Sequence, residues 1–162
     1  MTAASYAPSS ASAGALQSIG TLGDAAGFTT TDIEILETLA VTMIRERKLD
    51  RAEDCLRMAC LLDHARPGLW VRLGDCRRLG KNFAAALDSY ELAAEVGATP
   101  DAWLSIKKAI CYLALDRKEQ AFALLEEAEQ LADRQADDVS AKQFLTALLA
   151  SVRGADAGKS EA

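Results

Sequence analysis

The side chains with most chemistry to offer are one histidine, His64, and four cysteines, Cys55, Cys60, Cys76 and Cys111. No two cysteines stand as C-x-x-C and no second histidine completes a ligand pair, so the spacing of a structural zinc site is absent and no metal is expected. Cysteines scattered along helical sequence in a reducing compartment serve as small buried hydrophobes, and no disulfide is expected. His64 falls at the end of a helical stretch, where contact with the carbonyl-rich helix terminus is its expected role. No nucleophile or carboxylate constellation accompanies it, and the chain has no Gly-rich phosphate loop, nucleophile elbow or paired metal-ligand motif. Without these there is little to stabilise a transition state, so no catalytic residue and no cofactor is assigned. The remaining chemistry is noncovalent recognition.

The bulk properties narrow what could be recognised. The chain has 162 residues, half of them apolar, enough for one domain with a real core. A formal net charge of -6, with Lys and Arg dispersed among acids, excludes a nucleic-acid or anionic-membrane surface. No apolar run approaches the ~18 residues of a membrane span, and the N-terminus lacks the pattern of a signal peptide, so a cytoplasmic protein is expected.

Leu, Ala, Glu, Arg and Lys dominate the chain between its ends, which predicts helix almost throughout and no strand. The first 28 residues read as an uncharged, Ala/Ser/Gly-rich arm up to Asp24, in which Leu16, Ile19 and Leu22 recur at helical spacing. Thr31 with Glu34 has the form of a capping box, and Thr99-Pro100-Asp101 reads as a second helix start with Pro100 at the first helical position. Residues 153–162 read as a small, polar tail.

Internal repetition fixes the architecture. Ala40 is followed by Ala52, Leu56 and Ala59; Gly74 by Ala86, Tyr90 and Ala93; Ala109 by Ala121, Leu125 and Ala128. The small residue is followed each time by another twelve on, a larger apolar residue sixteen on and an alanine nineteen on, and the whole recurs every 34 to 35 residues. Small side chains at the first two positions let paired helices approach closely, and the larger one fills the gap between layers. The offsets resemble the tetratricopeptide signature, including an early aromatic, Trp70, in repeat two. Arg77 takes the usual tyrosine place, which Tyr112 keeps in repeat three. An all-α solenoid of three helix pairs over residues 29–152 is expected, with repeats near 33–66, 67–101 and 102–135 and a capping helix over 138–152.

A narrower resemblance rests on Ala59-Cys60-Leu61-Leu62-Asp63-His64, then Leu73-Gly74-Asp75-Cys76-Arg77, then Ala85-Ala86-Leu87-Asp88-Ser89-Tyr90, with Gly20-Thr21-Leu22 upstream. Their ordered, nearly gapless succession is similar to class II chaperones of type III secretion systems, over about two thirds of the chain. The resemblance implies a chaperone that guards hydrophobic translocator proteins before export by holding a short, partly apolar segment of the client. It also implies a homodimer formed through the N-terminal end, for which Leu16, Ile19 and Leu22 are the candidates.

In stacked helix pairs the first helices line the ligand face. Helical spacing places Glu37, Val41, Ile44 and Arg45 on that face of the first such helix, Val71, Asp75 and Arg78 on the second, and Trp103, Ile106 and Ile110 on the third. Apolar positions flanked by hydrogen-bonding ones suit an extended peptide. Trp103 would serve a core and a binding hot spot equally well. The rival is a generic repeat scaffold that grips a partner's C-terminal carboxylate. That needs converging cations without nearby acids, and Glu37 and Asp75 share the face with Arg45 and Arg78.

Overall fold

The computed structural model describes residues 21–134 and 139–157, and among these every regular element is helical. Contacts divide the chain into two compact units, Met1–Arg66 and Pro67–Ala162. The described part of the first contains α1 (Leu22–Ala26), α2 (Thr30–Arg45) and α3 (Leu49–Leu62); the second contains α4 (Pro67–Leu79), α5 (Phe83–Glu95), α6 (Ala102–Ala114), α7 (Lys118–Arg134) and α8 (Val139–Ala157). Of the stripe expected at the N-terminal end, Leu16 and Ile19 lie outside the described residues.

In the first unit α2 packs on α3, and α1 rests on α3. Helix α1 therefore turns residues expected as an arm into a docked, capped turn. A Cβ on Gly23 would stand 2.8 Å from the carbonyl oxygen of Leu62, so only glycine lets the two helices meet. Helix α2 begins two residues earlier than the expected cap would start it. Thr29, not Thr31, is the N-cap, its hydroxyl accepting from the Asp32 amide at 3.3 Å while the Asp32 carboxylate accepts from the Thr29 amide at 2.7 Å. Thr21 and Asp24 build the same reciprocal pair on α1. Hydrogen bonds from Thr29 hold the Asp32 carboxyl below the usual carboxylate range, so its contribution is present at neutral pH and fades as pH falls through the folded-state pKa. Thr29→Ala is expected to cost about 1 kcal/mol, read as a lower urea midpoint at unchanged slope.

In the second unit α4 packs on α5, α5 on α6 and α6 on α7, while α8 covers α7 and touches α6. Pro67 opens α4 as the first helical residue, where its missing N–H costs nothing. The start of α6 differs from expectation: Asp101 is the N-cap, accepting from the Leu104 amide at 2.6 Å, and Pro100 stands before the cap. Helix α8 runs to Ala157, beyond the expected end of the cap.

The twelve signature residues from Ala40 to Ala128 are all buried. A further regularity joins the two helices of each pair. Arg47, Lys81 and Asp116, again 34 and 35 apart, adopt φ near +60° (62°, 63° and 58°). Each sits in the same double closure: the amide after it bonds a carbonyl five residues back (Lys48 to Met43, Asn82 to Arg77, Arg117 to Tyr112, all 2.9 Å), and its own amide bonds one three back. This is the Schellman ending, here without glycine at the left-handed position. The chain thus folds back on itself by one backbone device used three times.

Candidate peptide-binding site

In the second unit α4 carries three of the ten candidate groove residues and sets them beside α6. Val71, Asp75 and Arg78 follow one another at four and three residues along α4 and are all half-buried. Asp75 is the polar centre. Its Oδ1 accepts from the Tyr90 hydroxyl of α5 at 2.9 Å, its Oδ2 accepts from Lys107 Nζ of α6 at 2.8 Å, and Arg78 Nη2 stands 3.7 Å from Oδ1. One carboxylate thus ties three helices and is shared by two cations. Burial pushes the Tyr90 phenol far above its ordinary value and the Asp75 charge adds to this, so Tyr90 remains a neutral donor. Cys111 is buried beside the cluster, and burial raises its thiol to about 11, with Arg78 pulling down and Asp75 pushing up. It stays protonated at neutral pH and inert as a nucleophile. Cys60 and Cys76 are likewise buried, as expected of small hydrophobes, and Cys55 is half-buried.

Beside this cluster lies a hollow of about 290 Å³ walled by Pro67, Gly68 and Val71 of α4, Gly97, Ala98 and Thr99 of the α5–α6 turn, and Asp101 and Leu104 at the start of α6. Gly97, at φ +105°, closes the turn in a conformation that a side chain would strain. The hollow combines apolar walls with adjacent charged donors, the combination an extended chain with alternating side chains can use.

The remaining candidates fall differently. Ile106 is 1% exposed, packed in a cluster with Ala102, Ala109, Leu125 and Leu145, so it belongs to the core and not to a surface. Ile110 packs against the same cluster but is only half-buried. Trp103 divides its surface: its ring meets that of Phe144 on α8 with centroids 5.6 Å apart at 46°, and it is otherwise half-buried. In the first unit Glu37, Val41 and Ile44 are half-buried and Arg45 is exposed, along one side of α2. Leu22 is exposed on α1, and His64 is exposed two residues past the end of α3. Sequence reading missed Lys107 and Leu104. The signal for Lys107 was a basic residue 32 positions after Asp75, close to one repeat on, where a side chain can reach back to the preceding pair. Arg77, in the usual tyrosine place, also finds polar partners, donating to the Ala85 carbonyl at 3.2 Å and the buried Ser89 hydroxyl at 2.9 Å. Among the described residues no three His, Cys, Asp or Glu side chains converge as metal ligands would.

No protein-family model and no curated sequence matches the chain. Solved structures do. A T3SS complex from Aeromonas hydrophila superposes with a TM-score of 0.76 at 26% identity, over 91% of this chain and 98% of that one. PcrH, solved with the chaperone binding region of PopD, gives 0.71 at 25% identity over 80% and 97%. The Yersinia enterocolitica chaperone SycD, solved with a peptide of the translocator YopD, gives 0.67 at 22% identity over 81% and 97%. SycD has also been solved as an alternative dimer. This chain has the fold of a type III secretion translocator chaperone. The three-pair arrangement read from the sequence is therefore one that translocator chaperones share, and those neighbours are chaperones and not enzymes. No helix among the described residues is long and apolar enough to cross a membrane.

Proposed function

We propose that this protein is a cytoplasmic, non-enzymatic chaperone that binds hydrophobic translocator proteins of a type III secretion system and keeps them from associating before export. The observation that carries the reading is the Asp75–Lys107–Arg78 cluster set beside the apolar hollow of Val71 and Leu104, on a fold whose solved examples include complexes with translocator segments. A short, partly apolar segment of the client lays alternate side chains into the hollow and against Ile110 and Trp103, and its backbone meets Arg78. Glu37, Val41, Ile44 and Arg45 stand on the corresponding helix of the first unit and engage the same client. Two copies associate through the N-terminal end, where Leu22 and Phe28 are exposed. Holding and releasing a segment needs no covalent step, cofactor or metal. The rival scaffold that grips a C-terminal carboxylate would need uncommitted cations, whereas Asp75 engages both Lys107 and Arg78.

The test is co-expression with the translocators of the same secretion system, followed by titration of the captured client. Val71→Glu with Ile110→Glu places two charges where apolar side chains should land. Affinity is expected to fall by about thirty-fold or more, the loss of ~2 kcal/mol typical of a binding hot spot. Circular dichroism should keep its helical signal. Undiminished binding by the folded double variant, or no translocator captured by the parent protein, rejects the reading.

A further inference from the structure

Charge is distributed unevenly around the hollow of the second unit. Along α6 the order is Asp101, Leu104, Lys107, and along α4 it is Val71, Asp75, Arg78. Asp101 caps α6 and walls the hollow together with Val71 and Leu104. Lys107 lies one helical turn past Leu104 and Asp75 one turn past Val71, so the ion cluster begins about 5–6 Å beyond the apolar walls. A carboxylate therefore stands on one side of the hollow and the cluster on the other.

The Asp75 carboxylate engages both cations of the cluster but balances the charge of only one. Lys107 Nζ holds its Oδ2 at 2.8 Å, whereas Arg78 Nη2 stands 3.7 Å from Oδ1, where the Tyr90 hydroxyl already donates at 2.9 Å. The Arg78 guanidinium also faces that hydroxyl and the Cys111 thiol, both neutral. Its Nε, closed off from solvent, has no hydrogen-bond acceptor among the described residues. Two positive charges and one negative leave a local excess of one, on a chain whose formal net charge is -6. Lys107 and Arg78 are each 25% exposed and Asp75 28%. They are open enough to be met, and dry enough that a further charge is felt more strongly than in open water.

In an extended segment, successive side chains on one face lie about 6.6 Å apart, close to the offset between the apolar walls and the cluster. We propose, resting on the client reading above, that the bound segment carries an aspartate or glutamate two residues from the apolar side chain it sets between Val71 and Leu104, and that Lys107 and Arg78 receive this carboxylate. Asp101 repels the same charge, so the acid-bearing side of the segment points away from the start of α6. Asp75 is a positioning residue that holds Lys107 at the furrow. A lysine or arginine at that place in the segment is selected against. The acid is a side chain within the segment, which separates this device from a scaffold that grips a chain end.

The test titrates the full-length protein with overlapping synthetic peptides tiled across the translocators of the same secretion system, one set capped at both ends and one with free termini. In the capped peptides that bind, replacing the acid two residues from the apolar anchor by its amide is expected to weaken binding about tenfold. Lys107→Met should weaken the acidic peptide by a similar factor and distinguish it less sharply from its amide, because the two changes remove one interaction. The amide swap uses the parent protein, so it decides the matter even if the variant fails to fold. An amide swap that changes affinity by less than about twofold, or tight binding by capped peptides with no acid at that spacing, overturns the proposal and leaves the client reading in place. Binding confined to peptides with a free C-terminus overturns it in favour of the scaffold. If no peptide binds, the client reading fails and this inference falls with it.

Discussion

Ile106→Glu is expected to unfold the second unit. The side chain is 1% exposed among Ala102, Ala109, Leu125 and Leu145, so a glutamate there must either carry a buried charge or rearrange three helices. Adding the lost apolar burial, about 2 kcal/mol, to a desolvation cost of several gives a loss of at least ~4 kcal/mol. That is comparable to the whole stability of a small domain. A thermal melt followed by circular dichroism reads this directly, and a variant that melts like the parent would return Ile106 to the surface. Val71→Glu with Ile110→Glu is the contrasting pair, because both residues are half-buried. A loss of client binding by Ile106→Glu therefore reports folding, not recognition.

The second large effect concerns Gly74 and Tyr90. Repeats one and three pair alanine with leucine at these positions, Ala40 with Leu56 and Ala109 with Leu125, whereas repeat two pairs glycine with tyrosine. A Cβ on Gly74 would stand 2.6 Å from Cδ1 and 2.9 Å from Cζ of the Tyr90 ring. The ring has nowhere to go, since it is fully buried and its hydroxyl is fixed on Asp75. Gly74→Ala should therefore cost about 1–3 kcal/mol by overpacking. Tyr90→Leu should cost a similar amount, through lost volume and the removal of a hydrogen bond to a charged group, worth about 1.5–3 kcal/mol. The double variant reproduces the pairing of the other two repeats and should be less destabilised than the sum of the singles by about 1–2 kcal/mol. Additive losses in denaturant titrations would show that the two residues do not share one space.

The repeat register was legible because small residues at fixed offsets are a steric requirement that no other side chain meets, and all twelve positions are buried. Local starts were less legible. Three consecutive threonines, Thr29 to Thr31, offer overlapping caps with Asp32 and Glu34, and the docking of α1 with its Gly27 turn settles which one closes, a tertiary matter. Ile106 was misread because counting faces along a helix treats each repeat alike. Its equivalents Glu37 and Val71 are half-buried, but the third pair is followed by α8, whose Ala141 and Leu145 join the cluster around Ile106. Asp75 was legible as a charged residue of a first helix, but not as one already engaged by Tyr90, Lys107 and Arg78, because those partners come from three different helices or turns of helix.

The three elbows have an evolutionary corollary. Because main-chain amides and carbonyls alone clinch each reversal, the side chain at its apex is free of any packing duty. A positive, a second positive and a negative residue accordingly occupy Arg47, Lys81 and Asp116 without altering the bend. Selection can thus change the charge at each bend, one residue at a time, while the hairpin beneath keeps its geometry.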